Sequence, residues 1–82
     1  MPNLLDDASL PTDASGLLAD LADLENRLSA CQDEIQRLMA AEDPARGIVH
    51  SGPIHEAKQL LMMLRYQKEL RVVRLNRLRQ EN

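Results

Sequence analysis

The sequence predicts an all-α protein: an antiparallel, coiled-coil-like hairpin of two helices, completed by dimerisation or by a partner protein. Three observations support this fold class: an apolar heptad repeat in the first half, a loop with two prolines and two glycines in the middle, and opposite charge in the two halves. The only aromatic residue is Tyr66, so the core must rely on aliphatic side chains, which suits helix–helix packing. A chain of 82 residues encloses only a small core, and association should therefore add to its stability.

The heptad repeat predicts the first helix, over about residues 14–42. Its apolar residues follow one another at alternating steps of four and three, which places them on one narrow stripe that must pack against another helix. We expect Thr12 or Asp13 to cap this helix. Asp43-Pro44 should end it, because the residue before a proline is driven out of the α region. The members of the stripe are Leu17, Leu21, Leu24, Leu28, Cys31, Ile35 and Leu38.

The segments outside the helices contain the turn-forming residues. Residues 1–13 have two prolines and three aspartates and predict a flexible acidic tail, with a leucine-based docking motif as the alternative interpretation. Residues 43–53 predict the loop, in which Ile48 and Val49 are expected to fold back over the open end of the hairpin. Ser51 or Gly52 should then cap the second helix, with Pro53 at its first position.

The second helix, predicted over about residues 54–80, has two apolar faces. At 100° per residue one broad stripe faces the first helix, and a second patch lies away from it. The stripe contributes Leu61, Leu64, Val72 and Leu75 to the intramolecular seam, with Ile54, Ala57, Leu60 and Leu78 beside them. The second patch, Met62, Met63, Tyr66, Leu70 and Val73, would be exposed in a lone hairpin and is the predicted partner-binding face.

The two halves of the chain have complementary charge. Residues 1–43 contain ten acidic residues against two basic ones, and residues 54–82 contain seven basic residues against three acidic ones. In an antiparallel hairpin with a short loop, facing residues have numbers that sum to about 92. Lys68 then lies at the seam, and its ammonium group is expected to reach one of three carboxylates, those of Asp20, Asp23 or Glu25.

The sequence contains few candidate metal-binding or catalytic residues. His50, His55 and Cys31 lack the spacing of a metal site, and no residues suggest a catalytic triad with an oxyanion hole. We therefore expect a protein that is not an enzyme, with no cofactor, metal or small-molecule substrate. Cys31 should be a small buried hydrophobe. If the first helix paired with its own copy, Cys31 could instead form a crosslink between the two chains.

Location and nucleic-acid binding can also be addressed from composition. A single cysteine, no visible signal peptide and no apolar run of ~20 residues predict a cytoplasmic protein that is not inserted in a membrane.

Four arginines near the end of the second helix indicate an alternative function, that of a small regulator that binds nucleic acid. A pI near 5.2 and the lack of aromatics for base stacking weigh against it. These arginines are Arg71, Arg74, Arg77 and Arg79.

The layout resembles the small helical-hairpin co-chaperones of bacterial type III secretion. That family has a short acidic lead-in, an amphipathic helix, a turn with proline and glycine, and a second helix with an extra hydrophobic face. The most similar stretch is EAKQLLMMLRYQKEL, residues 56–70. The resemblance implies a cytoplasmic chaperone subunit that pairs with a tetratricopeptide-type chaperone and keeps a needle subunit unpolymerised. Its contact residues would be Met62, Met63, Tyr66 and Leu70. A homodimeric four-helix bundle with a purely structural role is a further alternative.

Overall fold

A computed structural model describes residues 10–81 of the chain and confirms the two-helix hairpin. Helix α1 spans Ala14–Ala40, a short 3₁₀ turn spans Pro44–Arg46, and helix α2 spans Ser51–Glu81. The two helices pack side by side in an antiparallel arrangement, and the molecule is a rod with extents of 59 × 27 × 17 Å.

The core lies along the heptad stripe of α1. Five of its members are buried, namely Leu17, Leu24, Leu28, Cys31 and Ile35, whereas Leu21 and Leu38 are half-buried. From α2, Leu64 joins the buried cluster, and Ala57 and Leu61 pack against it. Further along α2, Leu75 is buried and Val72 half-buried. The 3.5-residue period thus buries α1 against a single neighbour, which is α2.

Helix α1 is two residues shorter than expected. It begins after Asp13, whose backbone is extended and whose carboxylate makes no capping hydrogen bond; its carbonyl accepts from the Leu17 amide at 3.1 Å. The helix ends at Ala40 instead of residue 42. The amides of Ala41 and Glu42 still donate to carbonyls of the last turn. The helical hydrogen bonds therefore end over two residues that precede Asp43-Pro44.

A pair of backbone hydrogen bonds closes the loop. The amides of Asp43 and Ile48 donate to each other's carbonyls at 2.8 and 2.9 Å, and Gly47 between them has φ = 74°, a region that favours glycine. This pairing holds the backbone of residues 43–48 in a closed turn. Ile48 and Val49 therefore remain 42% and 59% exposed, and the expectation that they fold back over the hairpin end is wrong.

Helix α2 starts at Ser51, three residues earlier than expected. Neither Ser51 nor Gly52 precedes the helix as a cap, because both are already helical. The carbonyl of His50 accepts from the Ile54 amide at 2.9 Å, and the His50 amide donates to the Glu42 carboxylate at 3.2 Å. Pro53 lies in the first turn, where a helix does not need the missing N–H.

Candidate interaction surface

The first half of α2 exposes a group of large apolar side chains. Met62, Met63 and Tyr66 are 69%, 63% and 46% exposed. The helical period places them on the side of α2 away from the buried Leu64, so α1 cannot cover them. We call these three residues the bare patch. They are three of the five residues predicted to bind a partner.

The other two predicted members of this face are not freely exposed. Leu70 is buried, with 9% of its surface exposed, and Val73 is half-buried. The expectation that Leu70 is exposed in a lone hairpin is therefore wrong. One turn beyond Leu70, the Arg74 guanidinium donates to the carbonyls of Leu10 and Pro11, both at 3.3 Å. The chain that precedes α1 thus returns to this part of α2.

This returning segment is tied to both helices. Leu10 is only 3% exposed. A Cβ atom at Gly16 would lie 2.8 Å from the Cβ of Pro11, so Pro11 rests on the first turn of α1 at a distance only glycine permits. The tail predicted for residues 1–13 thus includes two residues that pack against the hairpin. The rest of the predicted tail, with Leu4 and Leu5, lies outside the described residues.

The basic residues near the end of α2 do not form one surface. Arg71 donates through Nε to the Asp20 carboxylate at 2.8 Å and through a terminal nitrogen to the backbone and side chain of Gln67, and its side chain is 13% exposed. Arg74 holds the returning segment. Only Arg77 and Arg79 of the four predicted nucleic-acid contacts are exposed. Two of the four arginines thus have structural roles within the hairpin.

The ion pairs between the helices report the register. The Lys68 ammonium lies 3.6 Å from the Glu25 carboxylate, one of its three expected partners, while Asp20 pairs with Arg71. Both pairs have residue numbers that sum to within one of 92, as an antiparallel hairpin with this loop requires. The register along the seam is therefore the expected one.

Two open grooves flank the seam, one on each side of the hairpin. One groove, of about 410 Å³, has an almost wholly apolar floor between α1 and α2, and we call it the apolar groove. The opposite groove, of about 640 Å³, combines apolar and polar side chains, and we call it the polar groove. It is lined by Ile35, Leu61 and Met62 together with Gln32, Asp33, Gln36, Lys58 and Arg65. The apolar groove is lined by Arg27, Ala30, Cys31, Glu34, Ala57 and Leu60, with Leu64 at its floor.

The cysteine and the two histidines occupy different parts of the hairpin. Cys31 is buried, and its thiol donates to the Ala57 carbonyl at 3.1 Å. His50 lies in the loop and His55 is exposed in the first turns of α2. Within residues 10–81, no group of three or more His, Cys, Asp or Glu side chains is placed to hold a metal ion. In the same range, neither helix has an apolar stretch of the length and hydropathy needed to cross a bilayer.

Comparisons of the chain with protein-family models, with curated proteins and with solved structures found no match.

Proposed function

We propose that this chain is a non-enzymatic interaction module of the cytoplasm, which binds a partner protein through the bare patch of α2. The observation that carries the proposal is the exposure of three large apolar side chains, at 46–69%, within five consecutive positions of one helix. Contiguous exposed apolar surface in a small protein usually marks an interaction site. Methionine suits such a site because its side chain is flexible and polarisable.

The shape of the patch indicates the kind of partner. A helix presents a convex ridge, and a concave apolar surface is its natural complement. Repeat proteins built from stacked helix pairs, tetratricopeptide repeats among them, offer such concave surfaces. This fits a chaperone or assembly adaptor, and the specific form we propose is a co-chaperone that pairs with a tetratricopeptide-type chaperone in type III secretion. Met62 and Tyr66 would then be the anchoring side chains, with Met63 at the edge of the contact.

Nucleic-acid binding receives less support than protein binding. Arg71 is engaged by Asp20 and Gln67, and Arg74 by two backbone carbonyls, so neither is presented to a phosphate backbone. A basic footprint requires several cations on one accessible face. The exposed arginines that remain, Arg77 and Arg79, are too few for a continuous footprint.

The test uses a double variant of the bare patch, Met62→Asp with Tyr66→Asp, and one matched control. The partner is isolated from the native host with the intact chain, and its affinity is then measured by calorimetry with each purified variant. We expect the double variant to bind at least tenfold more weakly, since central aromatic and apolar anchors supply about 2 kcal/mol or more each. Circular dichroism should show unchanged helicity, because both side chains are exposed.

The control is Met39→Asp, which changes an equally exposed methionine (53%) at the end of α1. It introduces one carboxylate outside the bare patch, against two in the double variant, and its affinity should equal that of the unchanged chain. Equal affinity of the double variant and the control would contradict the proposal. A salt-sensitive gel shift with RNA or DNA that Arg77→Glu removes would favour the nucleic-acid function instead.

A further inference from the structure

The apolar groove lies on a different side of the hairpin from the centre of the bare patch. Its floor combines Ala30, Cys31 and Ala57, and Leu60 at its edge is 50% exposed. The polar groove opposite carries amide and charged groups that water can solvate. A small two-helix protein buries little apolar surface and is only marginally stable. Covering the apolar floor of this groove would therefore add to its free energy of unfolding.

We propose that a second copy of this chain covers the apolar groove and forms an antiparallel four-helix bundle, with a two-fold axis at the level of Ala30 and Cys31. Around a two-fold axis, two copies of a helix pair so that residue i of one faces residue j of the other, and j faces i. The sum of the two residue numbers is then constant along the helix. The charges and apolar residues that line the groove can therefore be tested for self-complementarity.

In α1 the charges at the groove fit such an axis. Arg27 and Glu34 both line the apolar groove, and they lie at equal distances on either side of the midpoint between Ala30 and Cys31. An axis at this midpoint places Arg27 of each copy opposite Glu34 of the other. Two Arg–Glu ion pairs result, one on each side of the axis. The small side chain of Ala30 allows the two copies of α1 to approach closely at the axis.

In α2 the apolar residues indicate the same level. With facing residues summing to about 92, the midpoint between residues 30 and 31 lies beside the midpoint between residues 61 and 62. Leu60 at the groove and Met63, the bare-patch residue one turn further, lie at equal distances from that point, so Leu60 of one copy faces Met63 of the other. Both are at least 50% exposed in the single hairpin. Met62 and Tyr66 remain available to a partner protein. One axis therefore satisfies the charges of α1 and the apolar residues of α2 together.

The size of the contact lies at the lower end of the range for a stable dimer. An axis at this level pairs residues 21–40 of α1, and residues 51–72 of α2, with their own copies, so the helices overlap over ~30 Å. Two helices, each ~10 Å wide, then present roughly 600 Å² on one side, which is about the smallest area that each partner contributes to an interface of standard size. Arg27 bonds Asp23 through Nε, and a guanidinium has further donors for Glu34 of the second copy. Glu34 holds its own Arg37, whose pKa it raises by hydrogen bonding and by charge, and a carboxylate can accept more than two hydrogen bonds.

Charge reversal with rescue tests the axis, with molar mass measured by sedimentation equilibrium at low salt. The unchanged chain should be a dimer. Arg27→Glu alone, or Glu34→Arg alone, places two like-charge pairs across the axis and should weaken dimerisation by about tenfold or more. The double variant Arg27→Glu with Glu34→Arg restores both pairs and should recover most of the affinity. The double variant still lacks both native ion pairs within α1, Arg27–Asp23 and Glu34–Arg37. A recovery of dimerisation can therefore come only from contacts between the two copies.

The matched control is Asp33→Arg, a charge reversal in the polar groove that should leave dimerisation unchanged. A second variant, Leu60→Asp, should produce monomers of full helicity, because Leu60 is half-exposed in the hairpin. A monomeric unchanged chain at every accessible concentration would overturn the proposal. So would a double charge variant that dimerises no better than the single variants. Neither result bears on partner binding by Met62 and Tyr66, so the two proposals fail separately.

Discussion

The side of α2 that faces away from α1 has two halves of similar composition and different exposure. The first half, with Met62, Met63 and Tyr66, is 46–69% exposed, whereas Leu70 in the second half is 9% exposed. The difference coincides with the segment before α1, which Arg74 holds beside the second half. The comparison shows that the apolar pattern of a helix does not by itself decide which residues remain available to a partner.

The largest expected effect comes from placing the same charge in each half. Leu70→Asp should lower the free energy of unfolding by about 2 kcal/mol or more, because it removes a buried apolar side chain and desolvates a carboxylate, which a pair with Arg74 one turn away offsets only in part. Met62→Asp should change it by about 0.5 kcal/mol or less, since the side chain is 69% exposed. Urea unfolding at one fixed protein concentration measures both values. Similar losses from the two variants would show that the halves do not differ.

A smaller effect is expected from removing the residue that anchors the returning segment. Leu10→Ala should lower the free energy of unfolding by about 2 kcal/mol, the lower end of the range for a buried leucine, because the site lies at the edge of the core. The matched control is Leu18→Ala, which truncates a leucine that is 49% exposed on α1 and should cost about 0.5 kcal/mol or less. Equal effects of the two truncations would mean that the segment is not docked in solution.

The smallest effect is expected from the hydrogen bonds that Arg74 makes to the segment. Arg74→Gln should cost about 1 kcal/mol, and amide hydrogen exchange of the first residues of α1 should accelerate as the segment is released. Arg77→Gln, one turn further and exposed, should leave both quantities nearly unchanged. Unchanged exchange in the Arg74 variant would indicate that the apolar contacts of Leu10 hold the segment without these bonds.

Much of the fold could be predicted because it depends on local periodicity. The heptad of α1 determines which face is buried, and the short loop restricts the register, so the sequence places the Lys68 ammonium near Asp20, Asp23 or Glu25, and it lies near Glu25. The sequence places the start of α2 three residues too late, because Ser51 and Gly52 are residue types that are typical of a helix cap. A serine and a glycine before a proline can also form the first turn, and only the contacts of the loop decide between the two.

The candidate site was less predictable because it depends on contacts between distant residues. The period of α2 identifies Met62 and Tyr66 as facing away from α1, but it assigns Leu70 the same role. No local signal reveals that Leu10 packs beside α2, since its flanking residues are those of an ordinary acidic tail. Arg71 also could not be separated from its basic neighbours by sequence, because its pairing with Asp20 depends on the side-chain geometry between helices.

The bonds between Arg74 and the residues before α1 also bear on the order in which contacts form during folding. Leu10 and Arg74 are 64 positions apart, whereas the thiol of Cys31 bonds a carbonyl only 26 positions away. Closing the shorter loop costs less entropy, so a refolding chain is expected to close the middle of the hairpin before Leu10 docks. In that interval Met62 and Tyr66 already lie on a formed stretch of α2, where a partner can bind them before the segment at the opposite end of the rod is in place.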